Sequence, residues 1–497
     1  MADEEKVHEE AQTEKKRDFG KTFLEEVRKS SLTVTFLAIV TGLLLGGLLA
    51  ALTTEGVYTI SPGDFVVVTA EHGPNDEIIA VELDRIHPSE DTLNGELNFS
   101  GEVKRTSETQ IEVDGEFVPV QQWRIGNSSV IVTDETIKKI SFGQRISSGL
   151  NAAWNTYVAL FTGSIGDPSK MIAAIQSGDS QEIRRAFNPF FESLVQSTPY
   201  IFAGLAVALG FRVGLFNIGA EGQLFIGAIT AVVAGIYLKG LPAIIHIPVS
   251  LLAGAAGGAI WGFIPGFLKA KTGGHEVINT IMMNYIAFRL SDYLLNNLLK
   301  DPEGFNPISP PIEASARLPR FFGDPIRFHL GFFIALGVAA LVYWLLFKTK
   351  WGFDLRTVGA NPHAAKYAGM NIVSSTIIAM SLSGALAGLA GTNEVLGVNY
   401  NLALAFSSGY GFDSIALALL GKSHPLGVVL ASLLFGFLRN GAVQMQLRAG
   451  IPIDIISVIQ AFILAFIAAP AIIRTIYRLK TPDQDVDAVR LSGWGGK

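Results

Sequence analysis

The sequence predicts an all-α polytopic membrane protein of about ten transmembrane helices, some of them broken, plus a small β-rich extracytoplasmic insert. Three observations carry this reading. The 497 residues are 49% hydrophobic and only 16% charged, with a mean hydropathy of +0.38, too apolar for an ordinary soluble enzyme. Apolar runs of roughly bilayer-spanning length recur from Ser31 to Ile473. One of them is interrupted: Gly214 to Gln223 reads GLFNIGAEGQ, with Asn217, Glu221 and Gln223 set among three glycines. A lipid-facing helix tolerates neither an uncompensated carboxylate nor this glycine density, so the break lines protein or water.

The first apolar stretch, residues 31–52, follows a tail (1–30) carrying Lys15, Lys16, Arg17, Lys21, Arg28 and Lys29. That charge places the N-terminus in the cytoplasm and favours an uncleaved anchor over a signal peptide, whose apolar region and leading tail are both shorter. Residues 53–141 turn polar and alternating, with candidate strands at Phe65–Ala70, Glu77–Leu83, Gln110–Val118 and Ser129–Val132. Turn signals at Ser61-Pro62-Gly63, His72-Gly73-Pro74 and Asp114-Gly115 separate them, and the insert reads as a spacer or a docking surface. The sequons at Asn98 and Asn127 add nothing without a eukaryotic context. Residues 142–192 read as amphipathic or interfacial helix.

A transmembrane core follows over 193–476, and a cytoplasmic tail over 477–497. Its apolar cores are Val195–Phe211, Leu224–Leu238, Ile244–Leu268, Val277–Leu299, Gly331–Phe347, Ile372–Gly391, Gly411–Gly421, Leu426–Val443 and Ile453–Ile473. Gly411–Gly421 is short enough to be a half helix. Counting it puts both termini in the cytoplasm, and the Lys and Arg bias between loops agrees in the main.

Composition excludes several classes. A net charge of -6 gives no basic footprint for nucleic acid, and the absence of cysteine removes disulfides, thiolate metal sites and a cysteine nucleophile. No catalytic residue, metal site or cofactor is expected in the chain. Gly421-Lys422-Ser423 imitates a phosphate-binding loop, but Ala416 stands where its first glycine belongs. With no other Walker motif, any ATP-driven process needs a separate ATPase subunit.

Three polar interruptions are candidate parts of a substrate pathway: Asn217, Glu221 and Gln223 in the first break, Asn284 in HEVINTIMMNYIA, and Asp413 in GYGFDSIALALLG. Each has a structural alternative, since intramembrane amides also serve helix packing and a carboxylate can satisfy unwound backbone. The segment 351–371, WGFDLRTVGANPHAAKYAGMN, is polar and glycine-punctuated. Asn361 can cap a helix, Pro362 suits its first turn, Ala364 and Ala365 favour it, and Gly369 can end it. Its small-residue face suits a groove on a cytoplasmic partner.

These motifs, in this order over roughly Asn151 to Arg474, resemble those of ABC importer permeases of the nucleoside and simple-sugar type. That group is related to the ribose and branched-chain amino acid permeases and works with binding proteins of the basic membrane protein type. The resemblance implies a bacterial cytoplasmic-membrane complex in which this chain forms half the pathway. Its partners would be a second permease, as a heterodimer, a cytoplasmic tandem ATPase holding ATP and Mg, and an extracytoplasmic solute-binding lipoprotein. The family's coupling segment carries over onto Gly352, Arg356, Gly359, Asn361, Ala364, Ala365 and Gly369. The insert of 53–141 departs from the family, whose members connect the first span to the ALFTGSIG-like stretch at Ala159–Gly166 more briefly. An ion-coupled carrier using Glu221 and Asp413 is the rival reading, and a receptor or scaffold working through the insert is a third.

Overall fold

The computed structural model describes residues 31–53, the backbones of strands between 59 and 138, and residues 142–302, 304–449 and 454–479. The N-terminal tail, the insert's turn motifs, Asn127 and residues 480–497 lie outside the described residues. The chain is predominantly helical. Its helices are α1 (Ser31–Thr53), α2 (Phe142–Ser164), α3 (Pro168–Ser177), α4 (Ser180–Arg212), α5 (Ala220–Tyr237), α6 (Ala243–Thr272), α7 (Glu276–Asn296) and α8 (Gly331–Lys348). They continue with α9 (Lys350–Ala360), α10 (Pro362–Tyr367), α11 (Ile372–Asn393), a π-helical turn at Glu394–Asn399, α12 (Tyr410–Leu420), α13 (Pro425–Ala449), α14 (Asp454–Ala468) and α15 (Pro470–Ile476).

Ten crossings are not what the described residues provide. Six helices are long and apolar enough to cross a membrane: α4, α5, α6, α8, α11 with its π turn, and α13. A seventh would be α14 with α15, bent by 90° at the break before Pro470. Two of the other three expected spans fail for identifiable reasons. Helix α7 has 21 residues but carries Glu276, Asn279, Asn284, Arg289 and Asp292. Helix α12 has only 11 residues, about 16 Å of rise, roughly half the hydrocarbon thickness. Helix α1 is 23 residues long and mainly apolar, of which Thr33–Leu49 have described side chains. Helix α4 runs unbroken through residue 192.

Between Thr59 and Lys138 the described backbone forms short antiparallel strands. Five pair in the order Ile78–Asp84, Val66–His72, Ser128–Thr133, Glu116–Ile125 and Val103–Val113. The strand expected over Gln110–Val118 is divided, and Val113 pairs with Glu116 across a hairpin.

Backbone proximity divides the chain into two compact units, one built on residues 191–437 with 459–497 and the first 43 residues, the other on 44–190 with 438–458. In the second unit, Asp167 caps α3 by accepting from Ser169 N–H at 3.0 Å, and Pro168 occupies the first turn. The Ser169 hydroxyl and nearby backbone N–H groups hold the exposed Asp167 carboxyl below the usual carboxylate range. Asn440 Nδ2 donates to the carbonyls of Gly163 and Pro189 at 3.1 and 2.9 Å, tying α13 to α2.

The first unit holds the main core. Helices α6 and α11 meet through Gly254, Gly258 and Gly262 on one side and Gly384 and Gly388 on the other. A Cβ on Gly258 would stand 2.2 Å from the Gly384 carbonyl oxygen, and one on Gly388 2.4 Å from that of Gly254. This four-residue spacing of glycines is how membrane helices reach backbone contact without a hydrophobic driving force. Helix α5 joins them, with Gly227 against the Gly388 backbone, and large buried side chains including Tyr200, Phe202, Leu205, Leu224 and Phe435 fill the remaining space.

Candidate functional site

Helix α4 ends at Arg212, where Val213 and Leu215 N–H both return to the Gly210 carbonyl and Gly214 takes a positive φ of 72°. The chain then runs unwound to Gly219 before α5 starts. Within this break Asn217 is fully buried and uses its whole amide. Its Oδ1 accepts from Gly219 N–H (3.0 Å) and Gln223 Nε2 (3.2 Å), while Nδ2 donates to Gln223 Oε1 and Ser383 Oγ, both at 2.8 Å. Ser383 in turn donates to the Ala206 carbonyl at 2.7 Å. Asn284 on α7 closes the other side, accepting from Gly222 N–H (2.8 Å) and donating to the Ile218 carbonyl (3.0 Å). Three of the expected pathway residues, Asn217, Gln223 and Asn284, thus satisfy one another and the unwound backbone, as buried polar groups in membranes must.

Glu221 is 3% exposed, and its carboxylate reaches another element. One oxygen accepts from the Ser407 hydroxyl and the other from Gly411 N–H, in the first turn of α12. A buried carboxylate there meets donors that the helix leaves open, and the positive end of its dipole. Asp413 is half-buried in the same turn, and its Oδ2 accepts from Tyr200 OH at 2.8 Å. Tyr200 packs edge-on against Tyr410 at 4.9 Å, and Tyr410 OH donates to Gln196 Oε1 at 3.1 Å. All five pathway candidates therefore surround one place where α4, α5, α7 and α12 meet.

The opposite end of α12 carries a group that sequence reasoning missed. Arg212 Nε donates to the Ser423 carbonyl at 2.9 Å and Nη2 to that of Lys422 at 3.3 Å. Both acceptors lie in the left-handed region, with φ of 51°, in the turn that ends α12. The loop-like Gly421-Lys422-Ser423 is thus a helix terminus held by an arginine. The signal available in the sequence was the cation at the end of a long apolar run, nine residues before Glu221.

The segment expected to couple to a partner is two helices rather than a loop with one. Thr349 caps α9, accepting from Gly352 N–H at 3.0 Å. Asn361 ends α9 and caps α10 through His363 and Ala364 N–H, at 3.0 and 3.1 Å. Gly369 closes α10 with φ of 77°. Ala365 is buried, whereas Ala364 and Tyr367 are exposed, Tyr367 at 96%. Arg356 lies over the Phe347 ring at 5.1 Å, and Arg212 over the same ring at 5.5 Å. Gly359 abuts the entry to the break: a Cβ there would stand 2.4 Å from the Arg212 carbonyl oxygen, and one on Gly214 3.1 Å from that of Gly359. Only backbone fits between α9 and residues 212–214. Gly352 and Arg356 lie on the flank of this contact, and Gly369 lies away from it. His424, in the turn after α12, is held below the usual imidazole range by burial and by Arg212.

At the other end of α11 a second polar cluster surrounds the π turn. The loop before α8 pairs with it through Ile312 N–H to the Tyr400 carbonyl (2.8 Å) and Leu318 N–H to that of Leu396 (2.9 Å). Arg317 and Arg320 both lie over the Tyr400 ring, at 4.7 and 4.8 Å. His329 is 1% exposed and packs where a Cβ on either Gly331 or Gly397 would overlap it. Its Nδ1 accepts from Gly331 N–H at 3.1 Å, which leaves the neutral ring's proton on Nε2. That Nε2, and both amide atoms of Asn393, have no hydrogen-bond partner among the described residues. Burial pushes the His329 imidazole down to about 4, with Arg320 and Arg327 adding to the effect. Arg327 is buried against its charge, but its ion pair with Glu192 more than offsets this and holds it above its ordinary value. Among the described residues no group of three His, Asp or Glu side chains could hold a metal ion.

Comparison with known proteins agrees with the motifs. Residues 190–469 match the family described as the permease component of the branched-chain amino acid transport system. The guanosine ABC transporter permease protein NupP of Bacillus subtilis is 45% identical over 290 residues, covering 57% of this chain and 82% of its own length. The glucose ABC transporter permease protein TsgB13 of Haloferax volcanii is 35% identical over 285 residues, 56% of this chain and 75% of its own. The nucleoside ABC transporter permease protein NupB of Lactococcus lactis is 35% identical over 293 residues, 57% of this chain and 80% of its own. No solved structure matches. With more than half its length matched by the family and these relatives covered over three quarters or more, the chain belongs to the permease-component family of the branched-chain amino acid transport system: it is a multi-pass membrane permease.

Proposed function

We propose that this permease forms half of the translocation pathway of an ATP-driven importer of nucleosides. The observation that carries the reading is the backbone contact between Gly359 on α9 and residues 212–214, where the paired coupling helices meet the entry to the broken helix. A push on α9 or α10 from a partner reaches the break through backbone alone, with no flexible side chain to absorb it. The exposed end of α10, with Tyr367, His363 and Lys366, is the surface for a cytoplasmic ATPase, which would hold ATP and Mg. A second permease completes the pathway, and an extracytoplasmic lipoprotein delivers the solute. The termini are cytoplasmic in this arrangement, and the strand-bearing stretch 53–141 stands outside as a spacer or docking surface. Transport requires that ATP and the loaded lipoprotein each favour a different permease state, because tight binding without that difference shifts nothing.

The nucleoside assignment rests on the relatives, two of them named for guanosine or nucleosides against one for glucose. The test is uptake into proteoliposomes holding both permeases, the ATPase and the lipoprotein. Labelled guanosine should enter only with internal-face ATP and compete with other nucleosides. Uptake driven by a proton gradient without ATP would overturn the importer reading in favour of an ion-coupled carrier using Glu221 and Asp413. ATP-dependent uptake of glucose but not guanosine would overturn the solute.

A further inference from the structure

Helix α12 is too short to span a bilayer; its N-terminal turn lies in the first unit's core, and its C-terminal turn ends beside the partly buried Arg212 and the exposed Lys422. Eleven residues rise about 16 Å, and a helix of any length leaves four N–H groups open at one end and four carbonyls at the other. In a membrane interior those groups need protein partners. The chain supplies charged ones, of the right sign at each end. Glu221 meets the N-terminal turn through Gly411 N–H and Ser407, and Arg212 meets the carbonyls of Lys422 and Ser423 just past the C-terminus. Accepting carboxyl oxygens at the N-terminus and a donating guanidinium at the C-terminus both complement the helix dipole.

Arg212 and Glu221 also stand on either side of the unwound residues 213–219. Their side chains reach opposite ends of α12. Asp413 and Tyr200 add a tie from α12 to α4 at 2.8 Å. Gly359 rests against the Arg212 end of this grip.

Building on the importer reading, we infer that Arg212 and Glu221 are positioning residues that clamp the half helix Tyr410–Leu420 at both ends. Displacement of α9 then moves the break and the half helix as one body. The broken segment is in this view a mechanical coupling between the cytoplasmic helices and the interior of the permease. Its glycines bring backbone to backbone at α9, and its two charges carry the movement on to α12.

The absence of cysteine makes the test direct. Spin labels are placed on introduced cysteines at Tyr367 on α10 and Leu419 on α12, both exposed. The label-to-label distance is measured in the assembled importer with and without ATP. The clamp predicts one narrow distribution in both states, and a broadened or two-peaked one for Arg212→Gln even without nucleotide. It also predicts that Arg212→Gln lowers uptake by about tenfold or more, the usual scale of a coupling loss, with Arg212→Lys recovering part of it. A purely local structural role would lower complex yield without altering the distance distribution. If Arg212→Gln does not assemble, Arg212→Lys carries the same comparison, with a smaller broadening.

A wild-type distance that shifts on ATP binding would overturn the clamp, as would an Arg212→Gln complex with wild-type distances and wild-type uptake. Failure of the importer reading is separable from both. It would show as no ATP-dependent uptake by the wild-type complex, while the nucleotide-free distances in wild type and variant still report on the clamp.

Discussion

Two buried polar clusters in the same helical core treat their polar groups in opposite ways. Around the break, Asn217, Gln223, Asn284 and Glu221 all find protein partners, and Asn217 uses every donor and acceptor it has. Around the π turn, His329 Nε2 and both amide atoms of Asn393 find none among the described residues. The cluster at the unwound backbone is thus the complete one, and the cluster at the π turn, where Arg317 and Arg320 also lie, is the incomplete one. A break inside a membrane has to be closed by its own side chains, since lipid offers no substitute, and closing it consumes the groups a solute would need. Polarity in a span therefore marks what must be held together before it marks what is bound.

Substitutions can break or sharpen this contrast. The largest effect belongs to Asn217→Leu, which strands the Gln223 amide and Gly219 N–H together and removes the donor to Ser383 Oγ. At about 1–3 kcal/mol per orphaned buried group, a loss of about 4 kcal/mol is expected, read as a lowered unfolding midpoint in detergent. Mild acid comes next, acting on the other cluster. The unfolded histidine takes a proton below 6.5 and the folded one only below about 4, so between those values the unfolded chain binds more protons. The contribution of His329 is complete above 6.5 and is lost as pH falls toward 4, by about 3 kcal/mol in all. A thermal scan from pH 7 to 4.5 should show the decline, and His329→Leu should flatten it.

Glu221→Gln has a smaller cost. The amide still accepts one bond but loses the charge and one acceptor at the start of α12, for about 1–2 kcal/mol in the same unfolding assay. The smallest effect is expected at the incomplete cluster. Asn393→Leu removes polar atoms that have no partner, so the midpoint should change by less than about 1 kcal/mol or rise. Equal losses for Asn217→Leu and Asn393→Leu would dissolve the contrast altogether.

The sequence showed where polarity interrupts the spans, and which segments belong together, because those signals are local. GLFNIGAEGQ, Asn284 and Asp413 do converge, and Asn361 does cap the helix that Pro362 begins. What it could not show is pairing across distance. Nothing in the chain says that Glu221 reaches Gly411 or that Arg212 reaches Ser423, some 190 and 211 residues away. His329 and Asn393 were invisible for the same reason, being single polar residues beside apolar runs. The glycines at 254, 258, 262, 384 and 388 carried a readable four-residue spacing, but it signals packing rather than function. The crossing count failed where hydropathy was averaged over stretches that α7's charges and α12's brevity interrupt.

Movement of the coupling helices should reach the break through backbone contact at Gly359. The most direct measurement compares uptake with lipoprotein-stimulated ATP hydrolysis in the reconstituted importer carrying Gly359→Val. A side chain there would meet the Arg212 carbonyl oxygen at 2.4 Å and force α9 away from the break. Uptake should fall by about tenfold or more while ATP hydrolysis continues without stimulation by the loaded lipoprotein. Wild-type uptake with wild-type stimulation, in a complex of normal yield, would contradict it.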